Sequence, residues 1–403
     1  MNDKVNNLGA RNKRHYESCS SQASSASARL RFFDLFSGIG GFRLGLERAG
    51  FKCIGYCEND YHASLLYKSY FDTKQEFYIK DATEIKTSEL PDFDILCAGF
   101  PCQSFSIAGK RLGFEDTRGS MFFEIIRILK DKRPRYFILE NVKGLLNHDG
   151  GKTFQTILKL LSDIGYQTQW QLLNSKFFGV PQNRERVYIV GCYGKECTGK
   201  IFPISGTDKT NSNNGEKENI VYWKNSKDKW VEEERTDVGT IRTQSDLCRQ
   251  PLLKQIPETS GNPQGCRIYT TDGISPCLTA SHGNYSPFKV RNGTKKGYDE
   301  AVPGDGINLA FPNSNTRRGR VGKGCSQTLD TSCSIGTIDG YRLRRLTPLE
   351  CFRLQGFPDD MFETTQKLKL ADGHLYKMVG NAVTVNVIET VAKQLAKVIN
   401  GKT

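Results

Sequence analysis

Between residues 31 and 193, short apolar runs alternate with segments whose apolar residues recur at helical spacing, and this alternation restricts the fold more than any other feature. RFFDLF (31–36), CIGYC (53–57), DILCAGF (94–100), RYFILE (135–140) and RVYIVG (186–191) read as buried strands. GFRLGLERAG, YHASLLYKSY, SMFFEIIRILKDK and KTFQTILKLLSDIG, between them, read as amphipathic helices. Pro134 ends the helix before RYFILE. Strand–helix alternation implies an α/β fold, a parallel sheet covered on both faces. Ligands of such sheets bind beyond the carboxyl ends of the strands, so the residues just after each run are where chemistry is expected.

The texture changes near residue 194. Residues 200–340 are rich in Gly, Ser, Thr, Asn and Lys and read as a smaller, irregular β-rich domain. GISPCLTAS (273–281) and GCSQTLDTS (324–332) share a weak pattern that fits a duplicated hairpin or chance. TPLECFRLQGF (347–357) resumes helix, and VTVNVIETVAKQLAKVI (383–399) is an amphipathic helix expected to pack back on the first domain. The expected division is a tail (1–30), a first domain (31–193), a second (194–340), a hinge (341–375) and a returning segment (376–403). The tail, polar and Ser-rich, reads as disordered, with an organellar transit peptide as the alternative.

A net charge of +13 points to a polyanionic partner, or to a basic surface kept for solubility. Thirteen cysteines without a CxxC pair, and only five histidines, match no metal site. With no apolar run of membrane-spanning length and no secretory segment, the expected setting is reducing and cytoplasmic.

Four places carry chemistry. FDLFSGIGGFRLGLERAG (33–50) is a strand, a turn with glycines at 38, 40 and 41, and a helix. Such turns let a ligand approach the backbone, or serve structure alone. Glu58, after the second strand, suits ribose hydroxyls, so a dinucleotide or S-adenosylmethionine fits; incomplete G-x-G-x-x-G spacing weakens the dinucleotide. Asp81 in KDATEI is either a further acid on that edge or an N-cap. Cys102, in GFPCQSFS, follows a strand and suits a nucleophile, and Glu140 in ENV ends the next strand. In QNRER, Gln182, Arg184 and Arg186 fall on one face of an extended segment, holding a substrate or merely solvated.

The ordered set DLFSGIGGFRLG, CENDYHA, KDATEI, DILCAGFPCQSFS, RGSMFFEIIRIL, FILENVKGL, NSKFFGVPQNRERVYIVG, RLRRLTPLECFRLQGFPDD and MVGNAVTVNV resembles the C5 DNA cytosine methyltransferases of bacterial modification systems. The resemblance covers residue 31 to the end except about 200–340. It implies a Rossmann-like domain with a mixed, mostly parallel sheet and a β-rich target-recognition domain, S-adenosyl-L-methionine as cofactor, and double-stranded DNA as substrate. It further implies that Cys102 adds to cytosine C6 while Glu140 donates a proton or hydrogen bond at N3, with Arg184 and Arg186 assisting. C5 then takes the methyl group, loses its proton to a base, and Cys102 departs. The cofactor contacts it implies are Phe36, Gly38, Ile39, Gly40, Gly41, Glu58, Asn59, Asp81, Ala82, Pro101, Met121, Asn381 and Val383. Its substrate contacts are Gln103, Ser106, Lys110, Arg111, Arg118, Asn141 and Gln182, several in a loop (106–119) expected to close over a flipped base. The expected enzyme is a monomer without metal, working alone or beside a cognate restriction endonuclease. A tRNA cytosine methyltransferase is the alternative, disfavoured by GFPCQ and by the long variable region. A non-catalytic DNA-binding paralogue is disfavoured because Cys102 and Glu140 are both present.

Overall fold

The computed structural model describes residues 29–100, 121–194, 199–205, 221–224, 230–233, 287–312, 314, 316–339 and 342–401. One nine-stranded sheet dominates. Its strands are β1 (Arg31–Leu35), β2 (Lys52–Cys57), β3 (Phe77–Ile79), β4 (Ile95–Gly99), β5 (Tyr136–Val142), β6 (Tyr166–Asn174), β8 (Glu185–Tyr193), β9 (Val221–Lys224) and β10 (Trp230–Glu233). The order is β10-β9-β6-β8-β5-β4-β1-β2-β3. Pairing is parallel from β3 to β5 and antiparallel from β8 outward, which makes the sheet mixed, as expected. The chain winds from β1 to β3 in one direction and resumes at β4 in the other. The order therefore reverses between β1 and β4, and a crevice opens there at the strands' carboxyl ends.

Helices α1 (Gly41–Arg48), α2 (Tyr61–Tyr70), α3 (Met121–Lys132) and α4 (Lys152–Asp163) follow β1, β2, β4 and β5. On one face, Phe122, Ile125 and Leu129 of α3 and Ile157 and Leu161 of α4 meet Leu96, Phe137 and Leu139 of the sheet. On the other, α1 and the C-terminal helix α8 (Val385–Ile399) bring Phe42, Leu46, Val387, Ile388 and Val391 against Phe32, Ile95 and Ile138. The apolar stripe of the last helix thus packs where its periodicity placed it.

Strand β6 is absent from the sequence expectation. Its segment, YQTQWQLLN, alternates Gln and Thr with larger residues and reads as polar. Two glutamines explain it. Gln171 is fully buried and pairs with the backbone of Ile204 in both directions, 2.8 and 3.2 Å, while Gln169 accepts from Ile201 N at 2.9 Å. These side chains satisfy an irregular buried segment that lacks ladder partners of its own.

A second, four-stranded antiparallel sheet contains β13 (Gly306–Asn308), β14 (Val321–Gly322), β16 (Ile335–Asp339) and β17 (Arg342–Arg345), beside the hairpin β11 (Phe288–Arg291) and β12 (Tyr298–Ala301). The expected boundary at 340 cuts the β16–β17 hairpin. Helices α5 (Pro348–Leu354), α6 (Asp359–Lys367) and α7 (Asp372–Asn381) then share a core with Ile39, Leu44 and Leu66 of the first domain. Residues 341–375 are thus packed rather than linking, and the expected boundary at 375/376 falls inside α7. Residues 1–28 of the expected tail (1–30) lie outside the described residues.

Candidate active site

At the end of β1 the backbone turns through Phe36, Gly38 and Gly40, all left-handed, at φ +58°, +55° and +89°. Glycine adopts this region freely; for Phe36 it costs on the order of 1–3 kcal/mol, a strain that marks functional turns. Gly41 opens α1, and a Cβ there would lie 2.7 Å from Val383 Cγ2 and 2.9 Å from Val383 O. The segment before the C-terminal helix therefore rests directly on the turn. Ser37 Oγ is buried beside it with no hydrogen-bond partner among the described residues. A buried hydroxyl without a partner is costly unless a ligand completes it.

Glu58 extends from the end of β2 toward this turn. Its carboxylate accepts from Gly38 N and Asp60 N, both at 2.7 Å, tying the two loops together and leaving lone pairs free. Burial raises its titration above the ordinary carboxylate range, opposed by the N–H groups of Asp60 and Gly38. Asp60 caps α2 and meets Lys377 of α7 at 2.7 Å. Burial works against its ionisation, but Lys377 and the N–H groups of Ala63 and His62 hold it below the usual range. Asp81 follows β3 on the carboxyl edge of the sheet and caps the turn 82–84, accepting from Thr83 N at 2.9 Å. A free hydroxyl and two acids beside a strained turn suit a ligand that carries both hydroxyls and positive charge. Ile39 and Ala82 turn into the cores, Asn59 and Asn381 are exposed, and Met121 is half-buried at the start of α3.

Across the crevice, Gly99 of β4 pairs with Glu140 of β5, which pairs in turn with Tyr188 of β8. Glu140 is 8% exposed, and its Oε1 lies 3.1 Å from Arg186 Nε. A Cβ on Gly99 would stand 3.3 Å from Glu140 Oε2, so the bare glycine leaves room for the carboxyl. Asn141 donates to Phe100 O at 2.7 Å and accepts from Val142 N, clamping the exit of β4. Pro101, Cys102, Gln103, Ser106, Lys110, Arg111 and Arg118 lie outside the described residues. Beside Arg186 a cleft of about 440 Å³ opens toward the second sheet, lined by Lys143, Asn308, Gln327 and Thr328 among others.

The expectation that Gln182, Arg184 and Arg186 act together from one face needs correcting. The extended run breaks at Arg184, between β7 (Gln182–Asn183) and β8, so period-two alternation does not continue through it. Gln182 is fully buried. It donates to Leu354 O and accepts from Leu329 N. Arg184, 3% exposed, donates to Leu329 O, Gly380 O and Ala382 O at 3.0, 3.2 and 2.8 Å. Desolvation, helped by Arg186 and opposed by Glu140, pushes Arg184 down to about 10, and it stays charged at neutral pH. Of the three, Arg186 alone reaches Glu140. Three positions escaped the sequence reading. Ser37, Gly99 and Gln355 lie inside the quoted motifs DLFSGIGGFRLG, DILCAGFPCQSFS and RLRRLTPLECFRLQGFPDD, yet nothing in their residue type singles them out. Gln355 donates to Val379 O and Ala382 O and accepts from Thr384 Oγ1.

Among the described residues no cluster of His, Cys, Asp or Glu is arranged for a metal, and no helix is long and apolar enough to cross a membrane. Solved structures share the fold: the Dnmt2 methyltransferase of S. pombe (TM-score 0.56, 16% identity, covering 93% of this chain and 99% of that one) and a putative DNA modification methyltransferase from an E. coli prophage (TM-score 0.51, 22% identity, 92% and 99%). Sequence similarity is higher to the orphan methyltransferase M.SPRI of Bacillus phage SPR, 33% identical over 91% of this chain and 97% of that one. The type II methyltransferase M.HpaII of Haemophilus parainfluenzae is 35% identical over 91% and 89%, and M.HhaI of Haemophilus parahaemolyticus 31% over 93% and 96%. The profile of C-5 cytosine-specific DNA methylases matches residues 30–397, and with it the crevice, the Glu140–Arg186 pair and the motif order have one reading: the chain belongs to the C-5 cytosine-specific DNA methylase family.

Proposed function

We propose that the chain is a DNA (cytosine-5-)-methyltransferase using S-adenosyl-L-methionine, with Cys102 as nucleophile and Glu140 as its partner at the target base. One juxtaposition carries the reading. Glu140, held by Arg186, faces the exit of β4 that leads to Cys102, across the crevice from the strained turn with its unpartnered Ser37 hydroxyl. The turn fits the cofactor: Glu58 accepts from ribose hydroxyls, Ser37 gains a partner, Asp81 stands near the adenine, and Val383 with Gly41 closes one wall. When bound, the cofactor supplies an electrophilic methyl group.

The chain's own residues make cytosine able to accept it. Cytosine C5 is a poor nucleophile. The Cys102 thiolate forms a bond to C6 while Glu140 hydrogen-bonds N3, and electron density moves to C5. Arg186 keeps the Glu140 carboxyl directed at the base, and Asn141 fixes the chain leading to Cys102. After methylation a base takes the C5 proton, the C6–S bond breaks and the thiolate returns. The target carbon is stacked within duplex DNA, so the base must be flipped into the crevice. Residues 31–193 and the C-terminal segment carry the chemistry, and the variable region selects the site. The enzyme works as a cytoplasmic monomer, as an orphan or beside a cognate endonuclease.

Cys102→Ser should abolish methylation and leave S-adenosylmethionine affinity nearly intact. Wild-type protein should form a covalent adduct with duplex DNA containing 5-fluorocytosine, because fluorine cannot leave as a proton. An active serine variant, or active wild type without an adduct, would overturn the mechanism. Methylation of tRNA in place of duplex DNA would favour the alternative substrate.

A further inference from the structure

Between β13 and β14 runs the loop LAFPNSNTRRGR (309–320). Phe311 within it is 66% exposed and has left-handed backbone, φ +54°. Exposing a large ring in a strained conformation gains nothing for folding. The Arg317 guanidinium lies over that ring, its carbon 4.4 Å from the centroid. Arg317 is exposed, and among the described residues its guanidinium donates no hydrogen bond and meets no carboxylate. Its planar donor edge is therefore free.

The loop itself is pinned. Arg320, 4% exposed, donates to Asn308 O, Arg291 O and Pro312 O, all within 2.9–3.2 Å. Ser314 Oγ accepts from Arg317 N at 3.2 Å, and Arg318 Nε reaches Gly293 O. Asn308, the residue before the loop, lines the same cleft as Arg186. A held aromatic–arginine pair thus stands on a loop that begins at the wall of the cleft lined by Arg186 and Asn308.

Building on the duplex-DNA reading above, we propose that Arg317, stacked on Phe311, is a specificity-determining residue that reads a guanine near the target cytosine. A guanidinium edge matches guanine O6 and N7 with two parallel hydrogen bonds in the major groove, and stacking fixes its plane before DNA arrives. Lysine has one point charge and cannot reproduce the bidentate pair. A phosphate contact would need no such orientation.

The test is selection of bound duplexes from a library randomised around a fixed cytosine, using full-length wild type, Arg317→Lys, Arg317→Ala and Phe311→Ala. Binding selection needs no methyl transfer, so it reads Arg317 independently of the proposed reaction; bisulfite sequencing of the same library tests that reaction separately. The wild type should prefer guanine at one position near the cytosine. Both Arg317 variants should lose that preference about ten- to hundredfold there and keep the others. Phe311→Ala should weaken the same position, and S-adenosylmethionine affinity in each variant should match wild type, showing an intact fold. Preference unchanged in Arg317→Ala, or binding weakened equally for all sequences with a shallower salt dependence, would overturn the inference.

Discussion

Replacing Arg184 by methionine tests whether this residue acts on the base or on the fold. The side chain supplies hydrogen bonds to three carbonyls. Ala382 O keeps a second donor in Gln355, while Leu329 O and Gly380 O have no other among the described residues. Each buried carbonyl left unpaired costs about 1–3 kcal/mol. Against that, removing a desolvated charge recovers part of the loss. A net destabilisation of about 3 kcal/mol follows, or roughly 8 °C in Tm at the 2–4 °C per kcal/mol typical of domains of 150–250 residues. Calorimetry and urea unfolding read this directly. Gly380 and Ala382 lead into Val383, which packs on Gly41, so the KM for S-adenosylmethionine should rise more than kcat falls. A guanidinium contacting the flipped base would show the opposite: near-native stability and slow formation of the 5-fluorocytosine adduct. Unfolding within 1 kcal/mol of wild type (~1 kcal/mol being the worth of one hydrogen bond), with a slowed adduct, would refute the reasoning.

Gly41→Ala must displace Val383, including its backbone carbonyl; at the usual overpacking penalty of about 1–3 kcal/mol, cofactor affinity should fall roughly tenfold or more, measured by calorimetric titration, while duplex binding persists. In the proposed complex Glu58 accepts ribose hydroxyls as a carboxylate, and its folded-state titration lies above the ordinary range. Cofactor affinity should therefore decline as pH falls through that raised value, before an ordinary carboxylate would protonate, and Glu58→Gln should be weaker at neutral pH with this acid limb removed. The same shift means that ionised Glu58 lowers apo-protein stability above its folded titration point, a penalty relieved as pH falls, so Glu58→Gln should remove this pH dependence of the apo Tm, while its amide NH2 leaves either Gly38 N or Asp60 N without an acceptor. Asn141→Ala frees Phe100 O and should slow adduct formation at least tenfold with little change in DNA affinity, read by single-turnover trapping.

The apolar strands β1, β2, β4, β5 and β8, the glycine turn and the acids at strand ends were legible because each rests on a local rule: apolar runs bounded by turns, glycine where the backbone turns left-handed, acids beside backbone N–H groups. Gln182 and Arg184 resisted because their partners lie far away in the chain, at Leu329, Leu354 and Gly380. The same three-residue pattern that reads as a charged face contains two buried tethers and one residue paired with Glu140, and only the break between β7 and β8 separates them. β6 was illegible for a related reason, since its glutamines act as backbone partners to a distant segment.

These long-range tethers also decide how the two walls of the crevice are related. Gln182 and Arg184 belong to the chain that continues into Arg186 and so to the wall proposed to receive the base. Through Leu329, Gly380 and Ala382 they hold the segment that lays Val383 on Gly41, the wall proposed to hold the cofactor. Gln355 joins the same segment from a third direction, with Thr384 and Ser175 completing the chain of hydrogen bonds back to β6 and β8. Methyl transfer requires its two reactants to be aligned to within a fraction of an ångström, and misplacement by about 1 Å costs on the order of a hundredfold in rate. A buried polar network between the walls, in which the terminal nitrogens of Arg184 are paired and its Nε has no partner among the described residues, holds that alignment more strictly than apolar packing, because slipping a paired member leaves a further buried donor or acceptor unpaired. On the proposed function, Arg184, two residues from Arg186, would therefore contribute by fixing where the two reactants meet.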